Sequence, residues 1–299
     1  MASGPGWQVS DVVCTAGPGD RPFEERHDAM CIAAVTQGTF QYRSTRGAAV
    51  LAPGAVMLGN QGDCFECGHE HGVGDRCLSF HVAPDLVDTI AAARPGFRQT
   101  PTFAVPRLPP LARLMPLLAE ADAARDGGEA AEWEELTLRL TGAVVAALAG
   151  CDDRAAAAFQ PSPRHERRIS EALRRIEAQA AEEPLALADL ARDAAMSPYH
   201  FLRAFRHVAG MTPHQFILRT RLHRAAVRLR RSDEPVSTIA FDAGFNDLST
   251  FNHRFRRIMG ASPSAYRARD WGGLQLGREN ALRGYPHPGL PLQGEREKS

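Results

Sequence analysis

Two segments in the carboxy-terminal third of the chain repeat one plan: a short apolar helix, a tight turn, and a second helix closed by glycine and followed by a capped proline. In the first, LALADLARDAAM leads through Ser197-Pro198 into PYHFLRAFRHVAG; in the second, VSTIAFDAGF leads through a turn at Asn246-Asp247 into LSTFNHRFRRIMG. Phe201 and Phe205 match Phe251 and Phe255, Gly210 matches Gly260, and Thr212-Pro213 matches Ser262-Pro263. A serine followed by proline supplies an N-cap and a first helical residue that needs no N–H. Helix, tight turn, helix is the geometry in which the second helix enters a DNA major groove. Between the repeats, PHQFILRTRLHRAAVRLRRS predicts one helix of about 19 residues, about 28 Å long at 1.5 Å per residue. That approaches the ~34 Å turn of B-DNA, so two reading helices held this way reach successive major grooves on one face of the duplex. A helical solenoid or regulatory bundle is the bland alternative, and the paired caps count against it.

Charge is consistent with this. The whole chain is formally neutral, yet residues 164–270 hold 19 Arg against 12 Asp and Glu, which leaves the remainder acidic. Such a surplus also occurs on ordinary solvated helices, so charge alone does not decide for a polyanion. Lys298 is the only lysine; arginine suits phosphate and guanine through its two-pronged fork, although genome composition produces the same bias.

GFNDLSTFNHRFRRIMGASPSAYR resembles the signature of the AraC/XylS family of bacterial transcription regulators, and LADLARDAAMSPYHFLRAFRHVAG is similar to that family's first helix-turn-helix. The resemblance covers roughly residues 166 to 268. It implies base-reading positions at Tyr199, Leu202 and Arg203 in the first reading helix and at Leu248, Ser249, Asn252 and His253 in the second. Arg203 fits the family's usual arginine and its fork matches guanine O6 and N7. His253 departs from a frequent arginine and reaches less far. Arg206, Arg254, Arg256 and Arg257 are the expected phosphate contacts, which position without selecting sequence; Arg219, Arg224 and Arg228 on the connecting helix read as solvated. Leu190, Ala194, Ile239, Ala240 and Gly244 belong to core and turn.

The expected fold is α+β: an amino-terminal cupin-like β-barrel or sandwich with a helical hairpin, then an all-α double helix-turn-helix. From Trp7 to about Val105, short β-prone runs alternate with glycine and proline. ERHDAMCIAAVTQGTFQYRSTRGAAVLAPGAVMLGNQGD resembles the cupin-like effector domain that AraC-like chains commonly carry, with its turn at Pro53-Gly54. That resemblance implies a ligand pocket lined by the barrel interior. The expected division is an effector domain over 1–106, a helical hairpin over 107–150, a linker over 151–165, a DNA-binding domain over 166–270 and a disordered tail over 271–299. In the hairpin, Leu108, Leu111, Leu114, Met115 and Leu118, then Leu136, Leu140, Val144 and Leu148, recur at helical spacing. Packing against the barrel and pairing with a second copy are both open to it.

CFECGHEHGVGDRC, from Cys64 to Cys77, concentrates three of the six cysteines. In an extended strand Cys67, His69 and His71 share one face and Cys64 takes the other; a hairpin turned at Gly72 to Asp75 would return Cys77. Three readings stand: a hairpin at the wall of an effector pocket, with His27 and Glu25 nearby; a site for zinc or another transition metal; a thiol switch. The cupin resemblance implies that a metal oxygenase, the competing enzyme class, would follow its H-x-H with a glutamate and a further histidine, and no glutamate stands between Gly72 and Arg76. A repair protein with a sacrificial cysteine would need an activated thiolate, and nothing beside Cys14, Cys31 or Cys151 marks one. MASGPGWQVS lacks a basic start and apolar run, and no later segment reaches the ~18 apolar residues of a membrane span. The resulting expectation is a cytoplasmic homodimer on double-stranded promoter DNA, responding to an unidentified effector and, if it activates, touching RNA polymerase.

Overall fold

The computed structural model describes residues 1–70, 72–93, 102–149, 162–181 and 185–268. Among the described residues the amino-terminal domain contains ten strands: β1 (Ala2–Gly4), β2 (Trp7–Cys14), β3 (Glu24–Arg26), β4 (Met30–Gly38), β5 (Phe40–Ser44), β6 (Gly47–Leu51), β7 (Val56–Gly59), β8 (Cys64–Gly68), β9 (Asp75–Val82) and β10 (Arg107–Leu108). They form two antiparallel sheets, β1-β2-β9-β4-β7-β10 and β3-β8-β5-β6. Because side chains alternate across a strand, β4 serves two cores. Met30, Ile32 and Ala34 face the covering helices, and Cys31, Ala33 and Val35 face the barrel interior with Phe40, Tyr42, Leu51 and Cys77. The Pro53-Gly54 turn carries Gly54 at φ 85°, the left-handed angle that glycine tolerates after proline, and its N–H donates to Val35 O at 2.9 Å.

Three helices cover the larger sheet: α1 (Pro84–Ala92), α2 (Met115–Ala124) and α3 (Ala130–Ala149). The helical pattern expected from Leu108 onward begins later, because Leu108 pairs with Val56 in β10 and Pro109-Pro110 delays the helix. Leu118, Ala121 and Ala124 of α2 pack on the barrel, while Met115 and Ala119 enter the core of the second helix-turn-helix. Helix α2 therefore packs within its own chain on two sides. α1 was not anticipated, although Pro84 at its start is a helix-opening signal.

The helical domain comprises α4 (Pro163–Gln179), α5 (Leu187–Asp193), α6 (Pro198–Ala209), α7 (Pro213–Arg231), α8 (Val236–Asp242), α9 (Leu248–Met259) and α10 (Pro263–Ala268). Pro163, read as part of a linker, instead opens α4 behind an N-cap at Ser162; residues 151–161 and the tail 271–299 lie outside the described residues. The connecting helix α7 spans 19 residues and opens with a capping box of Thr212 and Gln215. Both second helices end on left-handed glycines, Gly210 at φ 74° and Gly260 at φ 76°. Val50 and Ala52 of the barrel join the core of the first helix-turn-helix, so each half of the DNA-binding domain rests on the amino-terminal domain.

The two turns differ in one residue type. α5 and α8 both close by a bond from the sixth residue back to the first, Met196 N to Ala191 O and Phe245 N to Ala240 O. The left-handed position is Gly244 at φ 84° in the second turn and Ala195 at φ 47° in the first. A left-handed alanine costs about 1–2 kcal/mol, offset in part by the ~0.5–1 kcal/mol entropic cost of glycine. Ala195→Gly is therefore expected to stabilise the chain by roughly 0.5–1 kcal/mol, read as a rise in thermal midpoint; a fall would show that the Ala195 methyl packs usefully.

Candidate functional site

α6 and α9 each bury one face and present another. Phe201, Ala204, Phe205 and Val208 point inward from α6, as do Phe251, Phe255 and Met259 from α9. The opposite face of α6 carries Tyr199, 77% exposed, half-buried Leu202, and exposed Arg203 and Arg206, at helical three- and four-residue spacing. On α9 the corresponding face carries Leu248, Ser249, Asn252, His253 and Arg256, all exposed. Caps fix where each face begins: Ser197 accepts from His200 N at 3.4 Å and Asp247 from Thr250 N at 2.7 Å. Arg206, Arg254, Arg256 and Arg257 have no ion pair among the described residues. Arg254 and Arg257 turn aside, lining a cleft of about 340 Å³ with Arg219, His214 and Gln215 at the start of α7. The expectation that Arg224 and Arg228 are merely solvated is corrected. Arg224 donates to the Glu177 carbonyl, and Arg228 pairs with Glu234 and, at 2.9 Å, with Asp242.

In the amino-terminal domain the Cys64–Cys77 segment is not a hairpin. β8 pairs with β3 and β5 in one sheet and β9 with β2 and β4 in the other, so the link turns a corner between sheets. Cys67 reaches the interior beside Phe65, and Cys77 enters it from β9; Cys64 is half-buried at the β3 partner strand. His71 lies outside the described residues. The corner assembles a group that sequence reasoning missed: Cys14, His69 and Asp75 bring their donor atoms within 4.8 Å of one another. His69 Nε2 lies 2.5 Å from Asp75 Oδ2, and Cys77 Sγ donates to Asp75 Oδ1 at 3.4 Å. Cys14 and Asp75 are ladder partners between β2 and β9, a pairing that no local pattern announces.

His27 sits elsewhere, stacked on Phe65 at 4.0 Å and 2.8 Å from the Tyr42 hydroxyl, which donates to Leu58 O. Gly59 makes its room, since a Cβ there would overlap the imidazole. Burial, reinforced by His81, pushes the His27 pKa down to about 4. Burial likewise pushes Cys31 up to about 11 and Cys67 up to about 12, and Cys77 higher still, helped by Asp75. These thiols are protonated at neutral pH, the opposite of an activated nucleophile. The imidazole is neutral above its unfolded pKa of about 6.5, so the unfolded chain alone takes up its proton between about pH 6.5 and 4 and stability falls as pH drops through that window. After discounting for solvent screening the loss is about 1–2 kcal/mol. Urea midpoints at pH 7 and 4.5 should therefore differ less in His27→Gln than in the parent; an equal difference would reject the assignment.

In the barrel interior Tyr42 and Leu51 are fully buried. A cavity of about 530 Å³ opens at the domain junction, lined by Gly38, Pro53, Met115, Arg174, Glu177 and His223 among others. Across this junction the His223 ring lies 3.0 Å from Asp122, and Arg107 of β10 donates to Val50 O at 3.1 Å and His207 O at 3.4 Å. No helix among the described residues is long and apolar enough to cross a membrane.

Residues 14–130 match the profile of the AraC-like ligand binding domain, and residues 190–269 match that of a helix-turn-helix domain. The chain is 34% identical over 85 residues to the Probable transcriptional regulator LumQ of Photobacterium leiognathi, covering 28% of this chain and 34% of that one. It is 36% identical over 88 residues to Regulatory protein SoxS of Salmonella typhimurium, covering 29% of this chain and 82% of that one. The match thus spans about a third of LumQ and most of SoxS. Among solved structures, the DNA-binding domain of AdpA in complex with a target DNA is 33% identical over 33% of this chain and 89% of that chain, with a TM-score of 0.32.

Proposed function

The chain belongs to the AraC/XylS family of transcription regulators, and from that premise we propose that it binds double-stranded promoter DNA through α6 and α9 and adjusts that binding to a signal received by its amino-terminal domain. The observation that carries this reading is the pair of capped helices, each burying two phenylalanines and turning a polar face outward. In this reading Tyr199, Leu202 and Arg203, then Leu248, Ser249, Asn252 and His253, face base edges. Arg206 and Arg256 extend those faces toward phosphate, and Arg254 and Arg257 meet the backbone from the cleft they line with Arg219. The chain acts as a cytoplasmic regulator, not as an enzyme. It works as a homodimer on paired sites, with RNA polymerase as a further partner where it activates.

Two contacts between the domains support this reading. Both halves of the DNA-binding domain lean on the amino-terminal domain, the first on β6 and the second on α2. An effector favouring one docking arrangement over another shifts the population of spacings between the reading helices. Footprinting of the full chain on genomic fragments tests the reading: protection is expected over two major-groove segments about 10 base pairs apart, with affinity falling steeply with salt. Binding without sequence preference, or none at low salt, would reject it.

A further inference from the structure

The corner between β8 and β9 brings together one thiol, one imidazole and one carboxylate from three places in the chain. Cys14 and Asp75 are opposed across the β2–β9 ladder, which sets their Cβ atoms about 5 Å apart on one face. His69 stands at the other end of the corner, with its ring against Asp75. Gly74, at φ 72°, closes the turn onto β2; a Cβ there would meet the Cys14 carbonyl at 2.9 Å. His69 and Asp75 expose only 3% and 7% of their side chains, while Cys14 is half-buried and open to access.

Sulfur, nitrogen and oxygen donors in one cluster suit a borderline divalent cation, and three protein ligands leave a fourth position for solvent. Metal–ligand distances of about 2.0–2.3 Å put tetrahedral donors about 3.3–3.8 Å apart, so modest side-chain rotation closes the group. The bond from Cys77 Sγ to Asp75 Oδ1 orients the carboxylate from behind, as outer-shell partners of metal ligands do. On loading, the cation takes the place of the Cys14 thiol proton, which is released to solvent, and the ligating nitrogen of His69 turns from Asp75 to the cation while the ring proton stays on the other nitrogen.

The corner also touches the DNA-binding domain. The Arg174 guanidinium of α4 lies where a Cβ on Gly72 would be, and Glu177 of α4 accepts from Gly38 N at 3.1 and 3.2 Å. Gly38 is the ladder partner of Asp75 on β4. Next to Asp75, Arg76 binds Asp11, which lies 3.8 Å from Arg125; Arg125 pairs at 2.8 Å with Asp122, and Asp122 with His223 of α7. We propose that Cys14, His69 and Asp75 bind a zinc-class divalent cation and that its occupancy shifts how α4 docks on the corner, a regulatory step that rests on the DNA-binding reading above.

The test uses the full chain, metal-stripped under reducing conditions and titrated with Co²⁺ and then Zn²⁺. One equivalent of Co²⁺ with a thiolate charge-transfer band is expected, displaced by Zn²⁺. Cys14→Ser should abolish the band and Asp75→Asn should weaken uptake at least about tenfold, while Cys64→Ser, outside the cluster, retains both. Thermal unfolding of each stripped variant separates lost ligation from lost fold. No stoichiometric uptake, or uptake indifferent to Cys14→Ser and Asp75→Asn in folded chains, overturns the site. Zn²⁺ should change the affinity for the best-bound DNA fragment by at least about fivefold in the parent and not in Cys14→Ser; unchanged affinity on full loading overturns the relay. A stripped chain that binds DNA selectively yet takes up no Zn²⁺ sinks this proposal alone, whereas stoichiometric uptake without any DNA binding sinks the regulator reading and the relay with it.

Discussion

Arg203→Ala lowers affinity for the best-bound DNA fragment by about 1–3 kcal/mol, roughly 5- to 150-fold, and relaxes the preference at one base position. The magnitude follows from placement. Arg203 is exposed on the outward face of α6, one residue after half-buried Leu202 and one turn from Tyr199. From the middle of a helix seated in a major groove, a guanidinium presents two parallel donors to guanine O6 and N7, and alanine leaves both acceptors without partners. Arg256→Ala is expected to behave differently: it weakens binding about equally for all sequences and lowers the salt slope by about one. Gel-shift titrations over a salt series, with matched and scrambled fragments, separate the two. If Arg203→Ala weakens both fragments equally, Arg203 is a phosphate contact and α6 enters the groove at another angle.

Legibility of this chain in its sequence tracks the range of its interactions. The helical domain is written in contacts a few residues long: Ser197 and Asp247 cap, phenylalanines recur one turn apart, and Gly210 and Gly260 stop their helices. Each signal lies inside a window of about four residues. The interior of the barrel obeys no such window. That Cys14 meets Asp75, or that β8 and β9 belong to different sheets, depends on which strands lie between them, a choice made by the whole domain. Alternation correctly sends Cys67 inward with Phe65, yet cannot say that the chain turns a corner at Gly72–Gly74 and lays the segment against α4. Leu108 shows the same limit from the other side: it keeps helical spacing with Leu111 and Leu114, but its ladder with Val56 decides its conformation.

Phe255→Ala costs about 3–5 kcal/mol of stability, and the loss is not confined to its own helix. Phe255 is fully buried, with Phe251 and Tyr266 each 5.4 Å away between ring centroids, so truncation opens a cavity that neither neighbour can fill without leaving the other. The same cluster contains Met115 and Ala119 of α2. A hole at Phe255 therefore loosens both the second helix-turn-helix and its seat on the amino-terminal domain. Asn252, three residues earlier on the outward face, provides the contrast: Asn252→Ala should change stability by less than about 0.5 kcal/mol while reducing DNA affinity. Urea unfolding of the three chains, with DNA titration of those that remain folded, sets the two effects against each other. Loss of DNA binding in Phe255→Ala says nothing about contact, because the reading face depends on the ring beneath it; loss in a fully stable Asn252→Ala locates the face itself. A cost below about 1 kcal/mol at Phe255 would mean that α9 is held by its caps and by α7 rather than by its aromatic core.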